Sequence, residues 1–253
     1  MFVGAVFMSK SCHLKLPMLY FYQIFLKDFD MKEIFTGKIT RFVLVSFLFV
    51  TITCFAYVIP TNDVKWILII WNCFLAVVPL YCAMFVNYFL KLNKKLFAGI
   101  FSVIWLLFFP NSLYMLTDFK YISNFIIGNW DNYQDIGSNV INWFFLADLV
   151  VSIFCGVLFG MISLYIMQNL VRERFSRLKT ALFVVFVMLL SSFGIYIGRF
   201  PRLNSWDVLR PWFLVEKIMS SMTVFTVFFV LYFTILSLIV YIIFYFAVKI
   251  MKK

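Results

Sequence analysis

From Gly198 to Asp207 the chain reads Gly-Arg-Phe-Pro-Arg-Leu-Asn-Ser-Trp-Asp, which sets two guanidinium groups, an amide, a hydroxyl and a carboxylate within ten positions. The planar forks of Arg199 and Arg202 suit bidentate contact with a carboxylate or a phosphate. Asn204, Ser205 and Trp206 stand beside them as further ligand-binding candidates, with Asn111 contributed from an earlier segment. Asp118, Asp148 and Asp207 are the carboxylates that could bind a divalent ion or serve as a general base. The only histidine is His13, in the N-terminal tail, so Ser-His-Asp, Cys-His and histidine-based metal chemistry are excluded from the rest of the chain. No spacing matches a defined metal motif, and no cofactor motif is legible.

Each of these groups has a plainer reading. Arg199, Arg202 and Arg210 could pair with Asp118, Asp131, Asp135, Asp148 or Asp207 and bind nothing else. Asp148 is the only carboxylate inside a predicted span; it is either functional or a structural partner, and Arg199 is the expected partner because both fall in the same half of the membrane. Pro110 removes the hydrogen bond to the Leu106 carbonyl, which predicts either a polar notch at Asn111 and Ser112 or a simple kink with local amide satisfaction.

The elements that hold these residues are apolar helices. The chain has 253 residues, 64% hydrophobic, 22% aromatic and only 13% charged. Soluble domains carry roughly 25% charged residues, so the fold class is all-α, a polytopic membrane protein. Six runs are long enough to span, at 42–59, 66–89, 97–116, 141–168, 181–198 and 223–248. This gives a basic tail over 1–40, a six-helix membrane domain over 41–249 and a basic tail over 250–253. The segment before Met31 reads either as an over-extended start or as an interfacial helix.

Charge sets the topology. The tails and the second and fourth loops hold 16 of the 22 basic residues. Both termini are therefore expected in the cytoplasm, and Trp66, Trp130, Trp143, Trp206 and Trp212 all fall at the opposite boundary. The net charge of +11 belongs to this asymmetry beside anionic lipid and does not argue for nucleic acid. The five cysteines form no CxxC pair, and four lie in apolar runs as small hydrophobes. Gly156-xxx-Gly160 and Gly194-xxx-Gly198 permit close helix approach, each expected against a different helix. The amides of loop 123–139 beside Trp130 and Tyr133 fit an ordinary polar loop.

Several blocks together carry a resemblance. They are Phe109-Pro-Asn-Ser-Leu-Tyr114 with Thr117-Asp118, Ala147-Asp148-Leu149, Gly160-Met-Ile-Ser-Leu-Tyr165, and Gly194-Ile-Tyr-Ile-Gly-Arg-Phe200 with Arg202-Leu-Asn-Ser-Trp-Asp207. Through them the chain resembles a bacterial integral membrane family catalogued as domain of unknown function 1361, over about residues 42 to 248. Ser112, Leu113 and Ala147 depart from the family pattern. The resemblance implies a multi-pass protein of the bacterial plasma membrane and no established activity.

Three functions stay open on the residues. The first is a site in the outer leaflet that binds or modifies an anionic or phosphorylated envelope lipid. The second is a transporter or flippase worked by an Asp148–Arg199 pair. The third is a structural or regulatory membrane subunit. Membrane lipids are the expected partners, and the oligomeric state is not legible.

Overall fold

A computed structural model of the chain describes residue 34 and residues 37–61, 65–120, 140–202 and 209–251. The long helices are α1 Lys38–Thr61, α2 Lys65–Lys91, α3 Lys95–Tyr114, α4 Val140–Arg172, α5 Arg177–Arg199 and α7 Val224–Met251. These six are long and apolar enough to cross a membrane, and among the described residues there is no strand. Five of the six begin or end on a lysine or arginine, which continues the backbone ladder while its charge reaches the polar boundary. The loop expected over 199–222 contains an extra short helix, α6 Pro211–Ser221. Pro211 pre-sets the first turn of α6, and none of its side chains is buried.

α4 is the centre of the bundle. It packs against α1, α2, α3, α5 and α7, and is the most buried of the spans. Small residues allow the approach: a Cβ on Gly160 would stand 2.6 Å from Ser112 Cβ, and one on Gly156 would stand 2.0 Å from Met115 Sδ. From its other side α3 meets α5, where a Cβ on Gly194 would lie 2.9 Å from Pro110 Cγ. The two glycine patterns therefore dock on the same helix, α3, rather than on different ones. α3 can accept both because Ser112 and Pro110 present small surfaces on opposite sides.

α7 shows the polarity rule of a lipid-facing helix. Phe225, Phe228, Tyr232, Ile235, Ile239, Ile242 and Phe246 recur at helical spacing and are exposed, while Thr226, Thr234, Ser237 and Tyr241 are buried. In lipid the apolar stripe needs no protein cover, and small polar residues let backbones pack. Trp143 and Trp212 are exposed near helix ends, whereas Trp105 is buried and its indole donates to Ser163 Oγ at 3.3 Å. Trp130 and Trp206 lie outside the described residues, as do Cys12, His13 and the segment before Met31.

The ends of the bundle differ chemically. One end gathers Lys91, Lys94, Lys95, Arg172, Arg174, Arg177, Lys179 and Lys249. The other holds Asp118, Lys120, Arg199 and Arg202, and α6 lies between α5 and α7 at that end.

Candidate functional site

After Tyr114 the α-helical ladder tightens into a 3₁₀ turn, Met115–Phe119. Such a turn winds three residues per turn. It buries Asp118, at 1% exposure, and leaves the Thr117 carbonyl toward α5. The last residue of α5, Arg199, meets this turn. Its Nη1 donates to Tyr114 Oη at 2.9 Å and lies 3.3 Å from Asp118 Oδ1, and its Nη2 donates to the Thr117 carbonyl at 2.7 Å. The guanidinium also stands 5.1 Å from the centroid of the Tyr114 ring. Asn72 on α2 donates from Nδ2 to Asp118 Oδ2 at 3.1 Å. Both carboxylate oxygens are thus engaged, and one ion pair ties α2, α3 and α5 together. A charge buried at membrane depth is tolerable in this form, paired and hydrogen-bonded.

The expected Asp148–Arg199 pair is not formed. Arg199 closes on Asp118, and Asp148 faces α1: Thr53 Oγ1 donates to its Oδ1 and Cys54 Sγ donates to its Oδ2 at 3.3 Å. The reason is rotation rather than depth. Asp148 is eight residues from Gly156, about 80° around α4 at 3.6 residues per turn, and Gly156 is the residue that faces the end of α3. Among the described residues no cation pairs with Asp148. Cys54 does more than fill space, since its thiol is one of the two donors.

Asn111 donates to the Phe108 carbonyl at 3.0 Å within its own helix, and Ser112 crosses to the Ala76 carbonyl of α2 at 3.1 Å. Where a notch had been one reading, Gly194 packs on Pro110 and Gly160 packs on Ser112. Asn111 thus has a partner within its own helix, and the surfaces of Pro110 and Ser112 are covered by α5 and α4.

Lys120 and Arg202 flank the ion pair at the end of the bundle, both exposed. The Lys120 ammonium is drawn below its usual 10.5 by partial burial first and by the charges of Arg199 and Arg202, with Asp118 pulling the other way. Arg202 has φ 59°, a left-handed conformation that costs roughly 1–2 kcal/mol for a residue with a Cβ. Asn204, Ser205, Trp206 and Asp207 lie outside the described residues, as do Asp131 and Asp135. Among the described residues no group of three or more metal-binding side chains converges.

These positions fall within one family match. The model of the family described as protein of unknown function (DUF1361) matches residues 71–240. The chain belongs to that family. No curated protein and no solved structure matches it. The DUF1361 region includes Asn72, Tyr114, Asp118, Asp148, Arg199 and Arg202, while Thr53 and Cys54 on α1 precede it.

Five residues of this arrangement were not among the expected ligands: Asn72, Tyr114, Thr117, Thr53 and Cys54. Asn72 had a signal, an amide deep in an otherwise apolar run, where an unpaired polar group is costly. Thr117 acts through its backbone carbonyl, and no side-chain pattern announces that.

Proposed function

We propose that this DUF1361 protein binds the phosphate of an anionic envelope lipid at the Arg199 end of the bundle. The observation that carries the reading is a convergence of cations: Lys120 and Arg202, both exposed, stand with Arg199 at one end of the bundle, where Asp118 is buried and hydrogen-bonded to Arg199 and Asn72. Clustered cations attract an anion, and a guanidinium fork suits phosphate oxygens. Arg199 has the positioning role, fixed by Tyr114, Thr117 and Asp118, and Lys120 and Arg202 supply the phosphate contacts. The left-handed backbone at Arg202 supports this, because strain of that kind concentrates at binding sites.

Binding is favoured over turnover. A general base must reach its substrate, and Asp118 is 1% exposed with its carboxylate held by Arg199 and Asn72. The flippase reading rested on an Asp148–Arg199 gate, and Asp148 is bonded to α1 instead. The extracytoplasmic placement of this end and the bacterial plasma membrane are part of the proposal and rest on charge asymmetry and resemblance.

Native mass spectrometry of the full chain in detergent, loaded with phosphatidylglycerol or with phosphatidylcholine, tests it. Substituting Lys120→Gln with Arg202→Gln should remove one retained phosphatidylglycerol and leave phosphatidylcholine retention unchanged. Unaltered phosphatidylglycerol retention in a folded double variant would remove the proposal.

A further inference from the structure

At the opposite, basic end of the bundle, a cavity of about 280 Å³ opens between α4, α5 and α7. Its lining includes Gln168 and Arg172 from the last turns of α4, Arg177 and Thr180 from the first turns of α5, and Tyr245 and Lys249 from α7. A cation in the last turn of a helix is ordinary, since it offsets the carbonyl end of the dipole. Three cations from three helices around one cavity, with no carboxylate among the described residues of its wall, go beyond that. Glu173, in the nearby α4–α5 turn, is not part of the lining. Among the described residues, the side chains of Arg172, Arg177 and Lys249 form no hydrogen bond or ion pair. Arg177 also opens α5, whose N-terminal amides add positive field.

The neutral donors are oriented to match. The Tyr241 hydroxyl donates to the Gln168 amide oxygen, so Gln168 offers its NH₂ as the remaining group. Thr180 is tied to the Ser176 carbonyl at 3.0 Å, which fixes the first turn of α5 beside the cavity. Among the described residues the wall therefore presents cations and donors with no anion, a complement to phosphate oxygens.

Two features select a lipid over free phosphate. The volume of about 280 Å³ falls just below the roughly 300–1,000 Å³ typical of small-molecule pockets, enough for a head group and not for a whole lipid. Next to the lining residues in sequence, Leu178 and Leu182 on α5 and Phe246 and Ile250 on α7 are exposed apolar side chains. Acyl chains could lie along that surface while the head group entered the cavity. Basic pockets between membrane helices are known to take anionic lipid head groups.

We propose that the cavity bounded by Arg172, Arg177 and Lys249 is a binding site for the phosphate head group of an anionic membrane lipid, separate from the Arg199 end. The test uses the full chain in detergent, with dihexanoyl phosphatidylglycerol as the probe and inorganic phosphate and dihexanoyl phosphatidylcholine as parallel arms. Native mass spectrometry counts retained lipid, and a titration of thermal stability gives affinity. The Arg172→Gln, Arg177→Gln and Lys249→Gln triple variant should lose one retained phosphatidylglycerol. Single variants, which guard against misfolding of the triple, should each weaken binding about fivefold, as expected for one basic residue near an anionic lipid. The Lys120→Gln, Arg202→Gln variant should keep this lipid, which separates the two sites. Unchanged stoichiometry in the triple variant and unchanged affinity in the singles would overturn the proposal. Inorganic phosphate binding as tightly as the lipid would overturn its lipid identity, and equal binding of phosphatidylcholine would overturn its charge basis.

Discussion

Arg199 and Asp118, 81 residues apart in sequence, meet at 3.3 Å where the end of α5 crosses the turn after α3. With Asp118 1% exposed and Arg199 11% exposed, neither charge is free to relax into solvent if its partner is removed. Removing one member of a buried pair costs about 3–5 kcal/mol, and replacing both with apolar residues of similar volume is often near neutral. Asp118→Ala and Arg199→Met should each lower stability in detergent by that amount. The Asp118→Leu, Arg199→Met double variant should recover most of it in the same denaturation measurement. A double variant as unstable as the sum of the singles would mean that Asn72, Tyr114 and Thr117 depend on the charges themselves.

Asp148 should behave in the opposite way. Its described partners are a hydroxyl and a thiol, and Thr53 Oγ1 also lies 2.9 Å from the Phe49 carbonyl and 3.1 Å from the Val50 carbonyl. Asp148→Asn keeps an acceptor for Thr53 and removes a charge that no described cation offsets. The expected cost is under about 1 kcal/mol, below that of a typical hydrogen bond left unmade in the interior. A loss as large as that of Asp118→Ala, read in the same unfolding assay, would show that the carboxylate charge at Asp148 is required.

This contrast marks how far the sequence could be read. The six spans followed from apolar run length, and their bounds moved by only a few residues, because a membrane core fixes the length that a helix must have. Arg199 and Asp118 were recognisable as expensive charges in an apolar chain. Their pairing was not, since it depends on the 3₁₀ turn that rotates Asp118 toward α5 and on the way Asp148 is turned about α4 toward α1. Depth along a helix can be counted from sequence; the face that a residue presents to a particular neighbour requires the packed bundle. The basic cavity at the other end was hidden for a similar reason. Arg172, Arg177 and Lys249 had been counted as loop and tail charges, and only the convergence of three helix ends makes them one wall.

The glycines give a graded packing test. At Gly160 a methyl group would meet Ser112 Cβ at 2.6 Å, and at Gly194 it would meet Pro110 Cγ at 2.9 Å, so α4 or α5 must move away from α3. Overpacking of this kind costs about 1–3 kcal/mol. Gly99 on α3 has nothing within 4 Å of an added Cβ. There alanine should stabilise by up to about 1 kcal/mol through helix propensity alone. Thermal unfolding should therefore rank Gly99→Ala above the parent, and Gly194→Ala and Gly160→Ala below it.

Lys120 allows the binding proposal to be read through pH. Its ammonium is drawn below the usual 10.5, so without ligand the unfolded chain binds more protons than the folded one as pH rises toward that value. The sign follows directly: the penalty of holding this charge is fully present at low pH, and stability increases with pH through the window below 10.5. A phosphate bound between Lys120 and Arg202 reverses this, because an adjacent anion favours the charged amine. With phosphatidylglycerol bound, the same rise in pH should weaken binding and erode the gain. Stability against unfolding, measured from pH 7 to 10.5, should thus climb for the lipid-free protein, stay flatter or fall in excess phosphatidylglycerol, and show neither trend in Lys120→Gln. A lipid-bound curve that climbs in parallel with the lipid-free one would mean that no anion sits beside Lys120.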